Sequence, residues 1–266
     1  MSKKRKMVVG SSWKIYFKSV TESKRYFDIL EKNLGFLDPN IVEVYVLPDF
    51  ISLGIISTLD INSKIKLGAQ DMFWEDNGPY TGEVSPLMLK DIGCKYIYIG
   101  HSERKMYFGE NDYTINKKVL ACYRNGLAPL LLVGETMDEY KEEKTFNVLE
   151  KQLSIALDGI PPKFMEELVL VYEPRWAIGQ RDAASLDTIA NSHSMVRDCV
   201  KKIYDKNTAE KTRIIYGGSV NYHNARSIIG LPGVDGLGIT RASLDPFNFS
   251  NIIKFVDIEA RERIQN

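Results

Sequence analysis

The chain predicts an α/β protein folded as a closed (β/α)8 barrel, and three observations point there. Short apolar, β-branched runs recur eight times along the 266 residues. Longer, charge-rich segments with helical spacing lie between them, and the runs themselves are apolar throughout rather than alternating. Strands that alternate with helices imply a parallel sheet, and strands without polar alternation are those whose outer face helices cover. An open, doubly wound sheet would use the same units. Eight repeats in about 250 residues point to closure.

Taken in order, run 7–12 opens on Met7-Val8-Val9 and leads past Lys14 into a helical segment at 21–33. Runs 42–48 and 65–70 follow, the first rich in valine. Run 96–101 ends on His101 and precedes the helical segment 114–125, and the leucine-rich run 128–134 precedes 145–157. Run 167–173 carries Leu168-Val169-Leu170-Val171, ends on Glu173 and halts at Pro174, which has no amide to give a ladder. Segment 185–204 is helical, and runs 212–218 and 236–241 complete the series. No low-complexity linker interrupts it, so 1–266 reads as one barrel domain with a basic tail at 1–6.

Lysine plus arginine equals aspartate plus glutamate at 35 each, so there is no electrostatic footprint for nucleic acid or an anionic membrane. No apolar run reaches membrane-spanning length. A small metabolite fits this balance better than a polyanion. Cys94, Cys122 and Cys199 are odd in number and form no Cys-x-x-Cys pair, which argues for a reducing, cytoplasmic setting. The apolar stretch after Lys3-Lys4-Arg5-Lys6 is too short for a signal peptide, so those residues read as a solvated tail. The sequon Asn248-Phe249-Ser250 is then a chance match. No His and Cys pattern has metal-ligand spacing, so no metal and no cofactor are expected.

The reactive side chains fall at the carboxyl-terminal ends of the runs. Lys14 follows the first, His101 ends the fourth, Glu173 ends the sixth, Gly217-Gly218-Ser219 closes the seventh and Thr240-Arg241 the eighth. In a parallel barrel those ends share the face that carries the active site. Singly, each has a plainer reading: a solvated lysine, a histidine satisfying backbone groups, a glutamate paired with Arg175, a glycine turn. Their joint placement on one face favours a site.

With these residues in view, the chain resembles the triosephosphate isomerase family. The matching stretches are SWK at 12–14, GAQ at 68–70, YTGEVSPLMLKD at 80–91, IGHSER at 99–104, VGET at 133–136, YEPRWAIG at 172–179, YGGSVN at 216–221 and ASLDP at 242–246. They occur in the family's order and span nearly the whole chain. The resemblance implies the (β/α)8, or TIM, barrel and a cofactor-independent isomerase of a short phosphorylated sugar. It implies Glu173 as the catalytic base, His101 as the neutral group that polarises the carbonyl, Lys14 as the cation beside the enediolate and Glu103 as the acid that holds the lysine. Gly179, Ser219, Thr240 and Arg241 match positions whose backbone amides hold the phosphate, and Gly218 keeps that approach free of side chain. Segment 174–184 matches a mobile lid. Loop 77–86 matches the loop that docks into a second subunit, bringing Thr81 near the partner copy's Ser12 and Lys14 positions. Ending a strand on Glu173 with Pro174 next then makes sense: the carboxylate is positioned rigidly, and a poorly solvated carboxylate is a stronger base.

Four positions depart from the family's pattern. Ser12 stands for an asparagine, Arg175 for a valine, Gln180-Arg181-Asp182 for Thr-Gly-Lys, and Thr240-Arg241 for a glycine pair. Ser12 and Arg241 resemble a branch of the family that acts on tetrulose phosphates such as L-erythrulose 1-phosphate, where a smaller Ser12 makes room for a hydroxymethyl group. Arg241 would either donate to the phosphate or cover it, and Arg175 would either pair with Asp182 or face solvent. The alternatives are a triosephosphate isomerase of divergent sequence and a barrel that binds phosphosugar without catalysis.

Overall fold

A computed structural model describes residues 5–59 and 64–265. Eight parallel strands close on themselves: β1 Met7–Ser12, β2 Val42–Leu47, β3 Ile65–Ala69, β4 Tyr96–Ile99, β5 Ala128–Val133, β6 Val169–Tyr172, β7 Arg213–Tyr216 and β8 Gly236–Ile239, the last pairing with β1. The expected barrel is the one observed. Seven of the eight sequence runs overshoot their strands by a residue or two, and His101 and Glu173 are among the extra residues.

Helices surround the sheet: α1 Val20–Asn33, α2 Phe50–Ile56, α3 Pro86–Asp91, α4 Ser102–Tyr107, α5 Asp112–Asn125, α6 Met137–Lys141, α7 Thr145–Ala156, α8 Leu186–Ile203, α9 Lys206–Lys211, α10 Tyr222–Ile229 and α11 Pro246–Gln265. Local chemistry sets their ends. Asn111 caps α5 by accepting from the amides of Tyr113 and Thr114, and Gly126 ends it at φ +63°, a conformation that glycine adopts freely. None of the described helices is long and apolar enough to cross a membrane.

Alternation along each strand divides the core in two. Tyr96 and Tyr98 on β4 pack in the barrel lumen with Val8, Tyr45, Leu130 and Ile215, while Ile97 and Ile99 face the helices. Tyr45 fits because its neighbour in register is Gly10: a Cβ there would lie 2.2 Å from the tyrosine ring. Two large residues cannot occupy that layer together.

The amino-terminal end of the lumen is closed by buried charge. Glu43 bonds Arg213 Nη1 at 3.0 Å, accepts from the Tyr96 hydroxyl, and lies 3.4 Å from Lys6 Nζ and 3.5 Å from Lys95 Nζ. Lys6 and Arg5 are therefore not the solvated tail expected, since Arg5 is also fixed to Asp235 at 2.8 Å. Lys3 and Lys4 lie outside the described residues. Burial works against a charge at Glu43, but Tyr96 and the three cations outweigh it and bring its pKa from 4.5 down to about 2. A depressed carboxylate stabilises the fold above its unfolded pKa and loses that contribution as pH falls through its folded one. Replacing Glu43 by Gln is expected to lower stability by about 3–5 kcal/mol at neutral pH by stranding Arg213. The loss in urea midpoint relative to wild type should shrink between pH 4.5 and about 2, which denaturation across that range would check.

Candidate active site

Lys14 is raised out of β1 by its neighbours. Trp13 is fully buried, packed edge-on against Phe17 and Tyr26 at 4.9 Å each. With that anchor in place the next residue turns at φ +46°, a left-handed conformation sparsely populated by non-glycine residues. Gln70, at the end of β3, secures the turn: its Nε2 donates to the carbonyls of Lys14 at 2.9 Å and Leu47 at 3.0 Å. Nζ of Lys14 then reaches Glu103 Oε1 at 2.5 Å.

His101 caps α4. Its Nδ1 accepts the Glu103 amide at 3.1 Å, so the proton of the neutral ring belongs on Nε2, which lies 3.4 Å from Glu173 Oε1. Burial pushes the imidazole pKa down, but the Glu173 carboxylate pushes it up and prevails. Behind His101, Glu110 is held by Lys118 at 2.5 Å and accepts the Gly100 amide at 3.2 Å, which fixes the end of β4.

Glu173 is buried one residue past β6, its amide bonded to Val133 O at 2.9 Å. Gly134 lets that backbone approach: a Cβ at position 134 would lie 2.0 Å from the Glu173 carbonyl oxygen. Any side chain there displaces the carboxylate. Ser12, also buried, ends β1.

Segment 174–184, which the resemblance matches to a lid, is held down at several points. Trp176 Nε1 donates to Glu135 at 2.9 Å, and Glu135 also accepts from the Tyr172 hydroxyl at 3.0 Å. Ser219, at φ +48°, donates through Oγ to the carbonyls of Ala177 at 2.7 Å and Gln180 at 3.0 Å. The Ala184 amide donates to Tyr216 Oη at 3.1 Å. Arg241 donates to the same Gln180 carbonyl, so this guanidinium holds the lid tip. Gly179, Gly218 and Thr240 border the same rim, at the strand ends and lid tip. Arg175 lines a small crevice with Ser102, Lys105 and Glu173. It is not paired with Asp182 among the described residues.

The barrel thus unites Lys14, His101, Glu103 and Glu173 from loops that are distant in sequence. The carboxylate can take a proton, the imidazole N–H can donate to an oxygen, and the ammonium can stabilise negative charge. Three supports escaped sequence reading: Gln70, Glu135 and Tyr216 lay within recognised stretches but bore no role. The position of Glu135 directly after the apolar run 128–134 was the available signal.

Comparison with known proteins agrees with this geometry. The family model described as triosephosphate isomerase matches residues 7–256. A triosephosphate isomerase of Dictyoglomus thermophilum is 39% identical over 251 residues, covering 94% of this chain and 99% of that protein. Those of Geotalea uraniireducens and Thermodesulfovibrio yellowstonii are 39% and 41% identical, each covering 94% of this chain and 99% of its own. A match that spans the barrel from β1 into α11, with acid, imidazole and ammonium gathered at one end of it, places the chain in the triosephosphate isomerase family.

Proposed function

We propose that the protein moves a carbonyl between adjacent carbons of a short sugar phosphate through a cis-enediolate, and that its substrate is a tetrulose phosphate such as L-erythrulose 1-phosphate. The approach of Glu173 to His101 at 3.4 Å carries the reaction class, because it leaves a carbon and its carbonyl oxygen within reach of a base and a donor together. Glu173 removes the proton beside the carbonyl, His101 donates Nε2–H to that oxygen and takes the hydroxyl proton from the neighbouring oxygen, and Lys14, positioned by Glu103, stabilises the enediolate. The same carboxylate returns the proton to the neighbouring carbon. Amides of Gly179, Ser219, Thr240 and Arg241 hold the phosphate, Gly218 leaves their approach open, and Trp176 with the lid excludes water.

The four-carbon substrate rests on Ser12. Shorter than the family's usual asparagine, it leaves room beside Lys14 for a hydroxymethyl group on the reacting carbon. Names of relatives favour a second reading, interconversion of dihydroxyacetone phosphate and glyceraldehyde 3-phosphate. Side-by-side turnover of glyceraldehyde 3-phosphate and L-erythrulose 1-phosphate separates the two. Efficient turnover of the triose alone overturns the tetrulose assignment, and no turnover of either overturns catalysis.

Arg241 acts as a clasp between the phosphate rim and the lid. Replacing it by Gly is expected to raise KM roughly tenfold through loss of a charged donor at a partly exposed site, while stability stays unchanged. Steady-state kinetics with thermal melting checks this.

A homodimer completes the proposal, the whole chain forming one domain per subunit. Residues 77–83 stand exposed on a loop whose base is fixed by Phe73 N to Val84 O at 2.9 Å and Ser85 Oγ to Asp76 O at 2.6 Å. Ile15, beside Lys14, is 89% exposed, an apolar surface that a second copy's loop would cover. Sedimentation at low concentration should show a dimer, and a fully active monomer would contradict it.

A further inference from the structure

The floor of the site holds a hydroxyl that the mechanism above does not use. Tyr98 belongs to the lumen layer just beneath His101, with ring centroids 5.3 Å apart and planes 34° from parallel. It keeps 8% of its surface exposed, whereas the other lumen side chains keep 3% or less. Below it the lumen is filled by Tyr45 and Tyr96 and closed by Glu43 and Arg213. Tyr98 therefore forms the floor beneath His101, where the Glu173 carboxylate acts on its phenol.

Among the described residues the Tyr98 hydroxyl has no hydrogen-bond partner. Tyr96, one layer down, is bonded to Glu43, whereas Tyr45, like Tyr98, makes no side-chain hydrogen bond among the described residues but keeps only 1% of its surface exposed. A polar group left open at the bottom of a pocket is met by water or by ligand. Burial first, and the Glu173 carboxylate second, push its phenol pKa well upward, so it stays a neutral donor wherever the enzyme works.

We infer that Tyr98 is a specificity-determining residue whose hydroxyl bonds the hydroxyl carried by the substrate carbon farthest from the phosphate. This rests on the isomerase reading and refines its substrate. With the phosphate held at the rim by Gly179, Ser219 and Arg241, the other end of the carbon chain points past the reacting carbons toward Ser12 and the floor. A triose ends at the reacting carbon, whereas a tetrulose carries one more carbon with its hydroxyl. Ser12 supplies the space for that group and Tyr98 its hydrogen-bond partner. A site built to bond a substrate hydroxyl discriminates against the analogue that lacks it.

The test compares wild type with Y98F, which keeps the ring and removes only the oxygen, on L-erythrulose 1-phosphate and on glyceraldehyde 3-phosphate. The expected result is a loss of roughly tenfold or more in kcat/KM for the tetrulose, with the triose changed by less than about twofold and the melting temperature not lowered. Equal losses on both substrates would place the hydroxyl on Glu173 rather than on substrate and overturn the inference, as would no change on either. Wild-type turnover of the tetrulose with Y98F unaffected refutes Tyr98 alone. A wild type inert toward the tetrulose refutes the four-carbon substrate and this inference with it.

Discussion

Replacing Glu173 by Gln is expected to lower kcat by about 10²- to 10⁴-fold, the usual contribution of a general base. The backbone at this position is bonded to Val133 and pressed against Gly134, so the variant should keep its fold and its melting temperature. Glu173→Asp is the more informative change. It retains the carboxylate but withdraws it by one methylene, and a displacement of that order at a reacting centre costs about 10²-fold. Exchange of substrate hydrogen with deuterium from heavy water, read by NMR, should fall in parallel with turnover. An unaffected exchange rate in Glu173→Gln would remove this residue from the proton-transfer role.

Lys14→Met should have the next largest effect, a loss of about 10²- to 10³-fold in kcat, as when a preorganised donor to a developing oxyanion is removed. Two features set this lysine apart from a surface one. Its backbone is held in a left-handed turn by Gln70, and its ammonium is fixed 2.5 Å from Glu103. Gln70→Ala tests that positioning: it removes two bonds to carbonyls and loosens the Lys14 turn without removing any reacting side chain, so kcat should fall by roughly tenfold. Steady-state kinetics alongside circular dichroism distinguishes a displaced lysine from an unfolded chain. Full activity in Lys14→Met would exclude the electrostatic role.

The barrel was legible because its signal is repeated. Each apolar run is weak evidence alone, but eight in series leave few architectures for a chain of this length. His101 and Glu173 were legible for a related reason: a titratable side chain at the end of an apolar run is out of keeping with its surroundings. Glu135 follows the same rule and was missed, because its work is to hold Tyr172 and Trp176, and such support is visible only once those partners are assembled. Arg5 and Lys6 were misread as a tail because their anions come from other segments of the chain, Asp235 just before β8 and Glu43 on β2.

By itself the sequence determined the order of strands and helices and the face on which Lys14, His101 and Glu173 gather. These follow from local pattern, since hydrophobic period and strand ends are properties of neighbouring residues. The tertiary structure alone decided that Glu173 approaches His101, that Arg241 grips segment 174–184 at Gln180, and that the Tyr98 hydroxyl finds no hydrogen-bond partner among the described residues. Each depends on distances across the closed barrel, and closure brings together side chains whose spacing along the chain carries no trace of their contact.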